Sequence, residues 1–535
     1  MTKPSRAMTK PSRTMTKQSQ PLDSLIPGRR IGFAVIVLVP VLNGCATSSL
    51  DLAPTRADRP WSPRTDAAGG IVAGAPSDPS GADGYVLPVN QQLAKIRAAP
   101  EIDPAKIYTL SDLIDLAETN NPLTRKAWNA ARDAALAVGI VRSTYLPRLT
   151  VAALGGGQWL DVNNGGVLGT SVNNQNTGSG TISAASLQWL LFDFGERDAL
   201  IAEAAHGSVV TNIAFTAAHQ QVIYDTSLAF YAYSAARKRR ELAVQALVNA
   251  RSVQSAAEAR LRHQEGTIVD VAQARQATAQ AELGRVRADG AEQNAYLTLI
   301  TRIGLSPAAS IHIAEDAGRP FPPGLARMTD AAIAQAVGRR PDVLSAYELQ
   351  MAGSARVRAA QAEFLPKIFA SGNVSYSAGR LNISAVPGVG EQPPSLNLSE
   401  RGFGSTIIAG ITVPLYDGGT RAALLQQARN RADSAATTLG RSQDEAVQQI
   451  VLADNAVQTS IAAYGAASSL AAAAQTTYDA AFAAYRSGAG SITAVTIAQT
   501  GLLAARQDVA DAYSGARAAA ATLAFATGDP GSAPR

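Results

Sequence analysis

The second half of this chain repeats its first, and few other features restrict the possible folds as strongly. Asn121-Pro122 recurs as Arg340-Pro341, and Tyr145-Leu146-Pro147 as Phe364-Leu365-Pro366, each 219 residues later. Leu191-Phe192-Asp193-Phe194-Gly195 recurs as Leu415-Tyr416-Asp417-Gly418-Gly419 at a step of 224, and Gly266 is matched to Gly488 at a step of 222. Four landmarks in the same order at nearly constant offset mean duplication of one structural unit. Whatever one half builds, the other must build again.

Within each unit the hydrophobic period changes twice, giving helix, two strands, then helix. Leu110 to Tyr145 and Ala331 to Phe364 are Ala-rich and are each read as one helix stopped by a proline, whose ring clashes with the preceding turn. Ile368, Ala370, Val374 and Tyr376 alternate with more polar neighbours, as do Ile407, Ala409, Ile411, Val413 and Leu415; a weaker strand pair is expected near Leu149 to Leu160 and Ala184 to Phe192. Asp161 to Ser183 and Gly379 to Gly404, crowded with Gly, Asn and Ser, are expected as long loops. Glu196 to Glu265 and Thr420 to Ser487 contain no proline, so each is expected to be one continuous rod of about 100 Å at roughly 1.5 Å per residue. Two shorter helices laid end to end match each rod, and the reversals fall at Gly266 and Gly488, where glycine suits the backbone turn.

Strands of about ten residues suit a tilted barrel in a membrane, with one face to lipid and the other to water. Four strands cannot close such a barrel, and unpaired edges in hydrocarbon cost several kcal/mol per group. Another chain must supply the missing edges; three copies would give twelve strands. A soluble sandwich or stalk cap is the competing reading. The expected fold class is therefore mainly α with a transmembrane β part: a duplicated helix-strand-strand-helix unit, whose rods form a long helical barrel and whose four strands join a trimeric one.

The N-terminus indicates where such a chain works. Of the net +5 charge, much lies in the first thirty residues, ahead of the uncharged run Ile31 to Leu42. That run is shorter than the roughly 20 residues needed to span a bilayer, so it reads as the core of a signal peptide. It ends in Leu42-Asn43-Gly44-Cys45, which resembles a bacterial lipobox, with Cys45 as the lipidated residue. Cys45 is the single cysteine, so an intrachain disulfide is excluded. The threonine and alanine that follow include no aspartate, which favours the outer membrane. The implied organisation is a signal peptide over 1–44, an extended lipid-anchored segment over 45–109, repeats over 110–306 and 331–528 with a connector over 307–330, and a tail over 529–535.

Taken together, about Leu110 to Gly528 resembles the TolC family of outer-membrane factors. The lipobox, with Arg339-Arg340-Pro341-Asp342-Val343 followed by Leu349, Ala360, Phe364 and Pro366, is similar to the OprM and NodT branch. Locally, Pro341 and Asp342 also suit a helix start, since proline lacks an N–H and a carboxylate favours the positive dipole end. The resemblance implies a homotrimer in the outer membrane, with rods projecting through the periplasm to an adaptor protein and an inner-membrane transporter. Nucleic acid is not an expected partner, and no cofactor is expected beyond the lipid on Cys45.

The same resemblance places adaptor-docking tips at Gly266 and Thr267 and at Ser487, Gly488, Ala489 and Gly490. Candidate gate residues are Asp270 and Tyr485; three copies of Asp270 around an axis would repel one another and attract cations. Ala494 and Ile497 stand where the family often has aspartates. His206, His219, His263 and His312 show no metal-ligand spacing, and no nucleophile-base pair or phosphate loop suggests an enzyme. Passive conduction of toxic small molecules such as drugs, antibiotics or organic acids is the expected function. Type I protein secretion is the rival within the class, and a non-conducting lipoprotein stalk or adhesin the rival outside it.

Overall fold

The computed structural model describes residues 102–164, 172–315, 321, 326–379, 381–384, 395–398 and 401–530, together with short pieces between 53 and 93. The signal run and Cys45 lie outside the described residues. Two units partition the chain, 1–97 and 98–535. In the first, β1 (Arg64–Thr65) pairs antiparallel with β2 (Ile71–Val72) where no strand was expected. Asp66 explains the reversal: its carboxylate accepts from the backbone amides of Ala68 and Gly70, folding the chain locally.

The second unit opens with β3 (Ile107–Tyr108), then α1 (Leu110–Asn120) and α2 (Pro122–Arg142), ended by a 3-10 turn over Ser143–Tyr145. The expected single helix from Leu110 to Tyr145 is therefore broken within its length. Pro122 cannot donate its missing N–H, and the Asn121 side chain caps α2 by accepting from Leu123 N. Long strands β4 (Arg148–Asn164) and β5 (Val172–Phe192) follow, then the rod α3 (Glu196–Arg262) and α4 (Ile268–Ile303). A two-residue strand, β6 (His312–Ile313), pairs in parallel with β3, a contact with no sequence signal.

The second repeat runs as α5 (Asp330–Val337), α6 (Pro341–Ala362), β7 (Lys367–Gly379), β8 (Leu381–Ser384), β9 (Ser395–Leu398), β10 (Gly402–Thr412), the rod α7 (Thr420–Arg486) and α8 (Ile492–Ala526). The break at Arg340-Pro341 answers the one at Asn121-Pro122. Both rods contain 67 residues and are uninterrupted, as their lack of proline requires. The class is mainly α with a β part, as expected.

Two loop expectations are corrected. β4 extends to Asn164 and β5 begins at Val172, so much of the Asn- and Gly-rich segment is strand; β8 and β9 form a further hairpin inside the second. Composition misled because ladder hydrogen bonds do not depend on side chains, and strands in water on one face tolerate polar residues there.

Asp112, at the third position of α1, shows how these helices start. Its carboxylate accepts from Lys106 Nζ at 2.8 Å and from Thr109, whose hydroxyl accepts from Asp112 N in turn. The Lys106 bond first, then those to Thr109, hold its pKa down at about 2. A depressed carboxylate stabilises the fold fully above its ordinary pKa near 3.8 and loses that contribution as pH falls towards 2. Melting temperatures of wild type and Asp112→Asn should therefore differ by a constant amount above about pH 5 and converge towards pH 2.

Candidate functional site

The four long strands form one antiparallel sheet in the order β10-β7-β5-β4. Register places Leu149 opposite Leu187, Ala185 opposite Val374, Trp189 opposite Ala370 and Ile407 opposite Gly372. Side chains alternate across a strand, so these residues share one face with Val151, Phe403 and Ile411. That face is apolar and open: Ile407 is 90% exposed, Val151 74% and Phe403 73%. The opposite face is mixed: it carries Thr150, Ser186, Gln188, Ser371, Asn373, Ser375 and Thr406, with Gly404 and Gly410, but also Leu154, Ile182, Phe369 and Ile408. An apolar face of this extent in water would be an association or membrane surface. Among the described residues neither outer strand has a second partner: β4 and β10 each leave one row of backbone groups unpaired within the sheet.

Near the strands, helix packing runs α2-α3-α6-α7; at the far end it runs α4-α3-α8-α7. Among the described residues the rows end on α2, α4 and α7; α4 is also met by α1 and α7 by α5 over short stretches. These end helices carry Leu136 and Ile140 on α2, Val286 on α4 and Leu452 and Leu470 on α7, all more than half exposed. Among the described residues no helix is long and apolar enough to cross a membrane.

At the strand-to-rod junctions the duplication supplies matching clamps that the sequence landmarks only half revealed. Arg197 Nε donates to Asp193 Oδ2 at 2.7 Å, and its Nη1 reaches the carbonyls of Leu190 and Thr144 at 2.7 and 3.1 Å. Tyr145 lies under the guanidinium at 4.2 Å. In the second repeat Arg421 donates to Asp417 at 2.7 Å and to the Pro414 carbonyl at 3.1 Å, with Phe364 below. Arginine four residues after the repeated Asp was the available signal: both landmarks contain it when extended by two residues.

Arg339 and Arg340 hold the end of α8. Arg340 Nη1 donates to Ala526 O at 2.9 Å, its Nη2 to Gln449 and Asp342, and Arg339 Nε to Thr527 O. At Asp342 partial desolvation would raise the pKa, but Arg340's hydrogen bond and charge together bring it below the ordinary value. The Arg-Arg-Pro-Asp segment starts α6 and pins the end of α8, so its role is structural.

At the far end of the rods, both reversals have the same construction. Glu265 N donates to Arg260 O and Ala489 N to Ala484 O, each closing the rod's last turn around a left-handed residue. Those residues are Gln264 at φ 61 and Gly488 at φ 83. The expectation that Gly266 makes the first reversal, paired with Gly488, is corrected: Gln264 matches Gly488, and Gly266 matches Gly490, at the step of 224 that also separates the two rods. Gly266 and Gly490 are required by close packing instead. A Cβ on Gly490 would lie 3.0 Å from Tyr485 N and 3.1 Å from Ala484 Cβ; on Gly266 it would lie 3.1 Å from Arg260 Cβ. Gly490→Ala should destabilise the reversal by about 1–3 kcal/mol and speed hydrogen exchange at Ala489 and Gly490 without altering amides in mid-rod.

Arg260 joins the reversals, donating to Tyr485 O at 2.8 Å and Glu265 O at 3.0 Å while lying over the Tyr485 ring. Tyr485 is 1% exposed, packed with Val253, Val271, Ile492 and Val495. Burial first, then the negative charge of Asp270, raises its phenol pKa against the pull of Arg260. Thr267 and Asp270 form a reciprocal cap at the start of α4: Thr267 Oγ1 accepts from Asp270 N and Asp270 Oδ2 from Thr267 N, at 3.1 and 3.0 Å. Ser491 caps α8 through Ala494 N at 3.2 Å. Ser487 Oγ donates to Ala484 O at 3.0 Å. His206 and His219 each face a carboxylate on another helix, Glu348 and Glu118. His263 and His312 are exposed, His263 ending α3 and His312 in β6.

A four-stranded sheet with a largely apolar exposed face, borne on two long helical rods, is the architecture of a membrane-channel subunit. The chain belongs to the outer membrane efflux protein family, whose model matches residues 113–305 and 332–529. It is 27% identical over 340 residues to protein CyaE of Bordetella pertussis, covering 62% of this chain and 65% of that protein. It is 25% identical over 327 residues to outer membrane protein OprJ of Pseudomonas aeruginosa, covering 61% and 64%. The match thus spans a little under two thirds of each relative's length. Among solved structures, that of CusC superposes with a TM-score of 0.65 at 20% identity, over 81% of this chain and 99% of that one. The outer membrane protein VceC of Vibrio cholerae gives 0.63 at 19% identity, over 78% and 96%. The family is one of outer-membrane channel proteins, not enzymes.

Proposed function

We propose that this chain is the outer-membrane channel subunit of a tripartite export system. Three copies close a twelve-stranded barrel and a helical tunnel, through which toxic small molecules such as drugs, antibiotics or organic acids pass passively to the exterior. The observation that carries the reading is that, among the described residues, the four-stranded sheet ends on β4 and β10 without closing on itself, so further strands must come from other copies. Energy comes from an inner-membrane transporter, and a periplasmic adaptor docks at the tips around Gly266, Thr267 and Ser487 to Gly490. Small residues there let another helical hairpin approach the backbone. Asp270 and Tyr485 are the gate candidates: Asp270 places a carboxylate beside the reversal, and Tyr485 anchors α7 to α3 through Arg260. Cys45 carries the lipid that holds the N-terminal segment at the membrane.

The test is single-channel conductance of the purified, lipidated protein in planar bilayers, with its mass measured in mild detergent. Discrete openings from a species of three subunits support the proposal. A monomer that never conducts, even with Gly490→Ala loosening the tip, would replace it with the stalk reading.

A further inference from the structure

Between its long helices the chain builds a cavity of about 490 Å³. Its floor is α8, through Arg506, Val509, Ala510 and Tyr513; its sides are α3 and α7, and Ala314 and Glu315 close one end. Volumes of this order suit an organic small molecule. Tyr233, Tyr464 and Tyr513 bring aromatic rings to it, and Phe321 packs on Tyr464 and Tyr513 with ring centroids 5.5 Å away in each case.

Charge decides what such a molecule would carry. Of three lining cations, Arg237 is bound to Glu315 at 2.7 Å and Lys238 to Glu241 at 2.9 Å, so both lining carboxylates are occupied. Arg506 is different: its Nη2 donates to the neutral amide oxygen of Gln475 at 2.5 Å, and no carboxylate pairs with it among the described residues. A half-buried guanidinium beside a cluster of edge-on and tilted rings offers further donors in a planar fork.

We propose that this cavity binds a planar aromatic carboxylate, its ring against Tyr464 and Tyr513 and its carboxylate on Arg506. A forked, charge-assisted contact gives the preference for an anion, and the tyrosines give affinity for the ring. The proposal rests on walls contributed by one chain, so it stands independently of the conductance result.

The experiment is equilibrium binding of naphthalene-2-carboxylate and its neutral carboxamide to the full-length protein in detergent. The carboxylate should bind saturably, one per subunit, and more tightly than the carboxamide by about tenfold or more, as expected for a hydrogen bond to a charged group. Arg506→Gln should abolish that preference while leaving carboxamide binding in place, and Tyr464→Leu should weaken both probes alike. Arg506→Lys, which keeps the charge without the fork, should give an intermediate preference and guards against misfolding of the glutamine variant. Absence of saturable carboxylate binding to the wild type, or an unchanged preference in Arg506→Gln, overturns the assignment.

Discussion

Arg197→Ala should destabilise each subunit by about 3–5 kcal/mol, because it removes one partner of a buried ion pair and strands the other. The side chains of Arg197 and Asp193 are 5% and 6% exposed, so the carboxylate left behind could not be rehydrated without opening the junction. Leu190 and Thr144 would lose donors at the same time. These groups tie the end of β5, the turn before β4 and the start of α3 into one joint. The loss should appear as a lowered melting temperature and reduced assembly. The duplicated joint supplies the control: Arg421 makes the same bond, but Asp417 is 32% exposed, and water can take the place of the guanidinium there. Arg421→Ala should therefore shift the melting temperature distinctly less than Arg197→Ala. Equal losses would mean that burial is not what makes the first joint strong.

That joint also shows where the sequence stopped being legible. The landmarks around Asp193 and Asp417 were visible as a repeat, yet the arginines four residues on were not, since a charge in the first turn of a rod ordinarily reads as solvated surface. The rods were legible because absence of proline over so long a span is a strong statement about backbone geometry. Their ends were legible only to within a few residues: Gly266 was matched to Gly488 because both are glycine, whereas backbone conformation pairs Gly488 with Gln264. Sequence identity and structural equivalence part company wherever a left-handed position tolerates a non-glycine residue. The strands were legible on their apolar faces, at Ile407, Ala409 and Ile411, and illegible where Asn, Ser and Gly continue the ladder beyond them. Asp270 was singled out as an acid near the tip; what could not be read is that its carboxylate already caps α4. The Arg260 contacts to Tyr485 and Glu265 join residues far apart in sequence, which no local pattern encodes.

Placing a charge on the apolar face of the sheet separates a membrane barrel from a soluble cap. Ile407 lies in the middle of β10 and is 90% exposed in the single chain. In water, an exposed Ile407→Arg should change stability by no more than about 0.5 kcal/mol in either direction. In a bilayer the same substitution costs about 2–4 kcal/mol per subunit at the midplane, falling to about 0–1 near the interfaces. Thr406→Arg, one residue away on the opposite face, projects a similar side chain towards the more polar side and should cost little in either setting. Ile407→Arg should therefore lower the yield of liposome-inserted protein and its denaturation midpoint in lipid well below those of Thr406→Arg. If the two variants insert and denature alike, the face bearing Phe403, Ile407 and Ile411 does not meet lipid, and the twelve-stranded barrel cannot be how these chains assemble.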